Sequence, residues 1–344
     1  MEIGLYTFGD AGRSRAADTT ITPEMRLRHL VEEIELADQV GLDVFELGEH
    51  HRADYAVSAP AVALAAAETR TRSIRLTSAV TVLSSDDPIR VFQQYSTLDN
   101  LSNGRAEVMV GRSSFIERFP LFSLDLDDYD ALFIEKLEKL LAANDAEVLD
   151  WPGTAHTAPV PHRGVYPCAM QEILPIWIAV GGTPDSVVRA GRMGLLLALG
   201  IIGGQPARFA PLFDLYRRAA AQAGHDPGRL ATSLNLHGLV ADTCECALEC
   251  FAPAYAEVMT RLGSERGWAP MTRPQVEAAA APGGSLFLGS PDEVVEKILA
   301  AHEIFGFSRV LLQMAIGAVD YRALMRAIEL FKIRVAPELR KALA

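Results

Sequence analysis

Several signatures are missing from this chain, and each absence removes a class of protein. Only four cysteines, Cys168, Cys244, Cys246 and Cys250, occur in 344 residues, too few for a disulfide framework. The last three form C-x-C-x₃-C on a helical pattern without a fourth ligand at metal spacing, so they read as ordinary core or surface thiols. The N-terminus lacks a basic stretch followed by an apolar one, so no secretory signal is expected and the cytoplasm is the default. No apolar run reaches the roughly 18 to 20 residues of a membrane helix; the longest, Gly194 to Gly204, is bounded by glycine and reads as a buried strand. Net charge is −12 without any Lys/Arg-rich run, which argues against nucleic acid or an anionic membrane as partner. The first strand is followed by Phe8-Gly9-Asp10-Ala11-Gly12 rather than G-x-G-x-x-G, which weakens an open dinucleotide-binding sheet.

The remaining composition is that of a globular enzyme, 49% hydrophobic and 22% charged. Strand-like runs alternate with helical ones. The strands are Glu2 to Thr7, Leu42 to Glu49, Ile74 to Leu83, Ala106 to Val110, Pro175 to Val180, Leu195 to Leu199, Ala231 to Val240 and Arg309 to Met314. Helices are expected at 23–39, 60–68, 88–101, 129–143, 184–193, 207–223, 244–262, 291–305 and 321–335, several opened by a capping residue and proline, as Thr22-Pro23 and Ser290-Pro291 do. Such alternation predicts parallel pairing, and eight units predict a closed (β/α)₈ TIM barrel, one domain over 1–344. Two insertions absorb the extra length. Residues 144–172, after strand 4, read as a long loop or β excursion, and Gly/Pro/Ala-rich 263–287 as a mobile excursion.

In such a barrel the chemistry sits where strands end. Strand two ends in Glu49-His50-His51. Neighbouring strand residues point to opposite faces, so the two histidines cannot both meet one ligand unless the strand has already broken. One could serve as a general base; a structural pair and a metal site remain alternatives, although the other histidines lack ligand spacing. Gly181-Gly182-Thr183-Pro184-Asp185-Ser186 joins a strand to a helix. It reads either as a phosphate cradle, with close backbone approach, free N–H groups and two hydroxyls, or as an ordinary connection. Arg112 could supply the phosphate's counter-charge or merely pair with an acid.

Taken together, these segments resemble the bacterial luciferase-like flavin-dependent monooxygenases. The likeness runs through Ala37 to Asp43 and Glu46 to His51, Ser78 to Leu83 with Asp87 to Val91, Leu98 to Arg105 into Val110-Gly111-Arg112, Leu174 to Thr183, Arg189 to Gly194, and Gly289 to Val294. It implies a barrel holding reduced FMN across its mouth, supplied by a separate NAD(P)H-dependent flavin reductase, usually in a homodimer acting on a small-molecule substrate. By motif, Glu49 with His50 or His51 would stand at the flavin's reactive edge. Ala79 and Val80 would lie behind the ring, where the family often holds a non-prolyl cis bond. Arg112, Ser114, Gly181, Gly182, Thr183 and Ser186 would hold the phosphate. This chain has Ser113-Ser114 where many relatives have glycine, and Asp125 to Asp130 offers no second phosphate arginine, which implies a looser, exchangeable flavin. The alternatives on the same strand ends are a deazaflavin-dependent hydride-transfer enzyme, a non-catalytic flavin-binding protein and a metal-dependent hydrolase.

Overall fold

The computed structural model describes residues 1–112 and 115–343. Eight parallel strands form its wall among those residues: β1 (Glu2–Thr7), β2 (Val44–Leu47), β3 in two pieces (Arg75–Ser78 and Thr81–Val82), β4 (Val108–Gly111), β5 (Ile176–Val180), β6 (Leu196–Ile201), β7 (Thr232–Val240) and β8 (Arg309–Gln313). The strands pair in chain order, and β1 lies between β8 and β2. The two pieces of β3 flank a cis Ala79–Val80 peptide. The first piece pairs with β2 and the second with β4, while a bridge between Leu76 and Ala106 closes the ring lower down. The result is the expected barrel. Parallel strands need crossovers, and the helices that make them shield the outer face.

Local signals fix the helices. In α1 (Pro23–Gln39) the Thr22 hydroxyl accepts the Met25 N–H at 3.2 Å. In α2 (Pro60–Glu68) proline again opens the first turn. Asp87 caps α3 (Pro88–Leu101) by accepting from the N–H groups of Ile89 and Arg90. The remaining crossover helices are α4 (Tyr129–Asp145), α5 (Pro184–Arg192), α6 (Ala210–Gln222) and α7 (Cys244–Ser264).

The two insertions turn out differently. Residues 144–172 contain an antiparallel pair, Val148–Trp151 with Val160–Gly164, as a β excursion should. The mobile excursion expected at 263–287 is a correction. It holds helix α8 (Arg273–Ala280), opened by a Thr272–Gln275 capping box, and the start of a strand, Leu286–Gly289, that pairs with the end of β7. Thr-Arg-Pro is a helix start and the Ala run is strongly helix-forming, so composition alone misread this stretch. The chain closes with α9 (Pro291–Phe305), capped by Ser290 and Glu293, and α10 (Tyr321–Leu330), which continues through a wider turn into Ala336–Ala342.

Inside the barrel, side chains stack in layers. At the bottom the Arg309 guanidinium grips both oxygens of Glu107 at 2.7 and 3.0 Å, donates to Glu2 at 2.8 Å and lies over the Trp177 ring. The Trp177 indole donates to Glu107 at 3.0 Å. Above this, the Asn235 amide donates to Glu46 at 2.7 Å and accepts from Ser233 at 2.7 Å. Burial pushes the Glu46 carboxyl up to about 8, against the pull of Arg309 and the Asn235 hydrogen bond. No helix among the described residues is long and apolar enough to cross a membrane.

Candidate active site

The strand ends open into a cavity of about 380 Å³ at the C-terminal mouth. Its floor is set by alternation: residues that point inward on β4, β5 and β6 reach it as Met109, Ala179 and Ala198, and β3 adds Ala79 and Val80. Small residues keep this floor flat. A side chain on Gly111 would come within 2.9 Å of Val80, so the strand can pass behind the floor only as glycine.

One wall is aromatic. Tyr6 and Phe8, two residues apart on β1 and its exit, face the cavity with His50. The His50 ring lies among Phe8, Tyr55 and Phe115, with centroids 4.9, 4.4 and 4.8 Å away. Its Nδ1 is buried and has no hydrogen-bond partner among the described residues. Burial in this cage pushes its pKa down to about 3, so the imidazole is neutral across the physiological range.

β2 ends at Leu47, so both histidines lie beyond the strand and its alternation. His50 faces the cavity, whereas His51 turns away and meets Glu49, with Nε2 2.8 Å from Oε1. The other Glu49 oxygen accepts the Val82 N–H at 3.0 Å. Glu49 and His51 therefore brace the floor strand from behind, outside the main cavity.

The opposite wall is polar. Arg112, leaving β4, donates to the Ser186 hydroxyl at 3.0 Å, pairs with Asp130 and lies over the Tyr129 ring. Gly181, Thr183 and Ser186 reach the same wall from the β5–α5 turn. Thr183 occupies the cap position of α5 but makes no side-chain capping bond, and a Cβ on Gly181 would meet nothing within 4 Å. Gly182 (φ +117°, a conformation that favours glycine) opens instead into a neighbouring cavity lined by Gly203, Gly204 and Arg208. Ser114 lies outside the described residues.

The sequence reading did not single out Tyr6, Phe8, Met109, Tyr129, Ile202 or Asn235, all of which line the cavity. One signal was available. Ser233, Asn235 and His237 are polar residues at alternate positions of an otherwise apolar run, the pattern of a strand that turns a polar face into a barrel.

The arrangement suits a ligand with a flat ring system and an anionic end: a planar apolar floor, a buried neutral imidazole at one side, and an arginine with two hydroxyls at a helix N-terminus on the other. Comparisons with known proteins give the family. A family model described as luciferase-like monooxygenase matches residues 1–307. The 4-hydroxyprotoasukamycin monooxygenase of Streptomyces nodosus subsp. asukaensis is 28% identical over 330 residues, covering 92% of this chain and 87% of that protein. Among solved structures, the oxygenating constituent of 3,6-diketocamphane monooxygenase from Pseudomonas putida, in complex with FMN, superposes with a TM-score of 0.78 at 20% identity, covering 98% of each chain. An F420-dependent secondary alcohol dehydrogenase, in complex with an F420-acetone adduct, superposes with 0.77 at 17%, covering 98% of this chain and 99% of that one. These two likenesses concern the fold. With a family match spanning nearly the whole barrel, the chain belongs to the luciferase-like monooxygenases.

Proposed function

We propose that the protein is a flavin-dependent monooxygenase that uses reduced FMN and O₂ to oxidise a small organic substrate. The observation that carries this reading is the opposition, across one cavity, of the Arg112–Ser186–Thr183 wall and the caged His50, with the floor of Ala79, Val80 and Met109 between them. The residues fit FMN: the floor suits an isoalloxazine ring, and the polar wall suits a phosphate.

Bound reduced flavin would pass two electrons to O₂, so that one oxygen atom enters the substrate and the other leaves as water. The chain's own part is binding, orientation and exclusion of water. The aromatic wall of Tyr6 and Phe8 lowers the local polarity. His50, neutral and lining the cavity, would stand beside the reacting edge of the bound ring as a hydrogen-bonding group. Its low basicity makes it a hydrogen-bonding group in the resting site, one that would take a proton only when charge develops beside it. Glu49 and His51 act through the backbone of Val82 and hold the floor in place. The same reading includes a separate NAD(P)H-dependent reductase as the source of reduced flavin, a homodimer, and a single cytoplasmic domain.

Anaerobic titration with reduced FMN and with reduced deazaflavin tests it, followed by admission of oxygen. Saturable FMN binding and O₂ consumption are expected. Binding of the deazaflavin alone, without O₂ uptake, would assign the chain to hydride transfer, and binding of neither would end the flavin reading. His50→Asn should keep FMN binding near normal while slowing oxidation about 10²-fold or more, the usual worth of a positioned proton-handling group.

A further inference from the structure

The polar wall contains a carboxylate where an anion-binding site has least use for one. We propose that Asp130 is a built-in counter-anion on Arg112, which a cofactor phosphate must displace, so that binding of the phosphate opens an ion pair already made within the chain. The inference rests on the flavin reading above.

Three observations carry it. First, the Arg112 guanidinium is already occupied, with Asp130 on one nitrogen and the Ser186 hydroxyl on the other. A phosphate approaching Gly181 and Thr183 meets this pair, because Arg112 is the cation that faces the cavity there.

Second, the pair is built to open. The Arg112 side chain is 22% exposed but that of Asp130 is 67% exposed, and an ion pair so open to water is weak. Asp130 stands in the first turn of α4, where the helix N-terminus favours a negative charge whether or not Arg112 is its partner. Swinging away therefore leaves the carboxylate in a tolerable place.

Third, a second cation stands behind the wall. Arg189, one turn beyond Ser186 on α5, is not part of the cavity lining, and its buried Nη1 has no hydrogen-bond partner among the described residues. Burial, and next the nearby Arg112, hold its pKa below the ordinary value, while Asp130 and Asp185 oppose this. The Asp130 charge thus acts on Arg189 as well as on Arg112, and a phosphate of about two negative charges in its place would offset both guanidiniums more fully than one carboxylate does.

The test compares reduced FMN with reduced riboflavin, which lacks only the phosphate, in anaerobic titrations of the wild-type chain and Asp130→Asn. FMN should bind about tenfold more tightly to the variant, about 1.4 kcal/mol, with riboflavin affinity unchanged. Inorganic phosphate should compete with FMN at lower concentration in the variant. Weaker FMN binding to Asp130→Asn would overturn the inference, because Asp130 would then be positioning Arg112 for the phosphate. An equal shift for both flavins would overturn it too, since the effect would not concern the phosphate. In both cases the flavin reading stands. If neither protein binds either flavin, both proposals fall together.

Discussion

The floor and the mouth of this barrel are made by opposite ends of the same strands, yet they treat polar atoms in contrary ways. At the floor, Arg309, Glu107, Glu2 and the Trp177 indole satisfy one another within 3 Å, and the arginine is 1% exposed. Towards the mouth, His50 Nδ1, His237 Nδ1 and Gln313 Oε1 are buried without a partner among the described residues. A satisfied buried cluster holds a structure together, whereas an unsatisfied one costs stability. Between them, Glu46 and Asn235 mark the change: one Glu46 oxygen is hydrogen-bonded and the other is not.

The sharpest way to break this comparison is at the floor. Arg309→Met removes the one cation that, among the described residues, contacts both Glu107 and Glu46, and should destabilise the fold by about 3–5 kcal/mol. Denaturant unfolding would show it, and a loss below 1 kcal/mol would mean that the floor is not a structural cluster. A smaller effect is expected behind the mouth. Glu49→Ala strands the Val82 N–H and should cost about 1–3 kcal/mol, since a buried donor loses its acceptor. If Glu49→Ala instead unfolds as the wild type does, the bracing role is wrong.

The smallest effects are in pH dependence, and they have opposite signs at the two levels. His50 titrates near 6.5 when unfolded and at about 3 when folded. The unfolded chain therefore binds the extra proton between those values, and stability falls as pH drops below about 6.5. Glu46 moves the other way, from 4.5 up to about 8. Here the folded chain keeps the proton, and stability falls as pH rises from 4.5 towards 8. His50→Asn should flatten the acid limb of a stability–pH curve, and Glu46→Gln the limb between pH 4.5 and 8. Exchange of the two outcomes would refute the assignment of burial as the cause.

The barrel was legible in the sequence because its signals are local: strand-helix alternation, proline-opened helices and caps such as Thr22 and Ser290. So was the floor of the mouth at Ala79 and Val80, through the family resemblance. What escaped depends on distance along the chain. Asn235, for instance, meets Glu46 across 189 positions. No window of sequence contains such pairs. Alternation does not choose between the two histidines, since β2 ends at Leu47; the aromatic cage does, and it escapes the sequence because Phe8, Tyr55 and Phe115 come from three separate segments. Helix α8 and the strand after it were misread for another reason, their glycine and alanine content outweighing a clear capping signal.

That short strand has a consequence for how such a protein can be altered. Leu286 to Gly289 align with His237 to Val240 through four main-chain pairs, so the two ends of the intervening segment are held at fixed separation by backbone alone. Residues 241–285 thereby form a cassette. Its ends do not depend on which side chains it carries, but its exchange between relatives has to keep the buried face of α7, with Ala247, Phe251 and Tyr255, that packs into the core. Selection, natural or in the laboratory, can vary its exposed side chains without renegotiating the barrel.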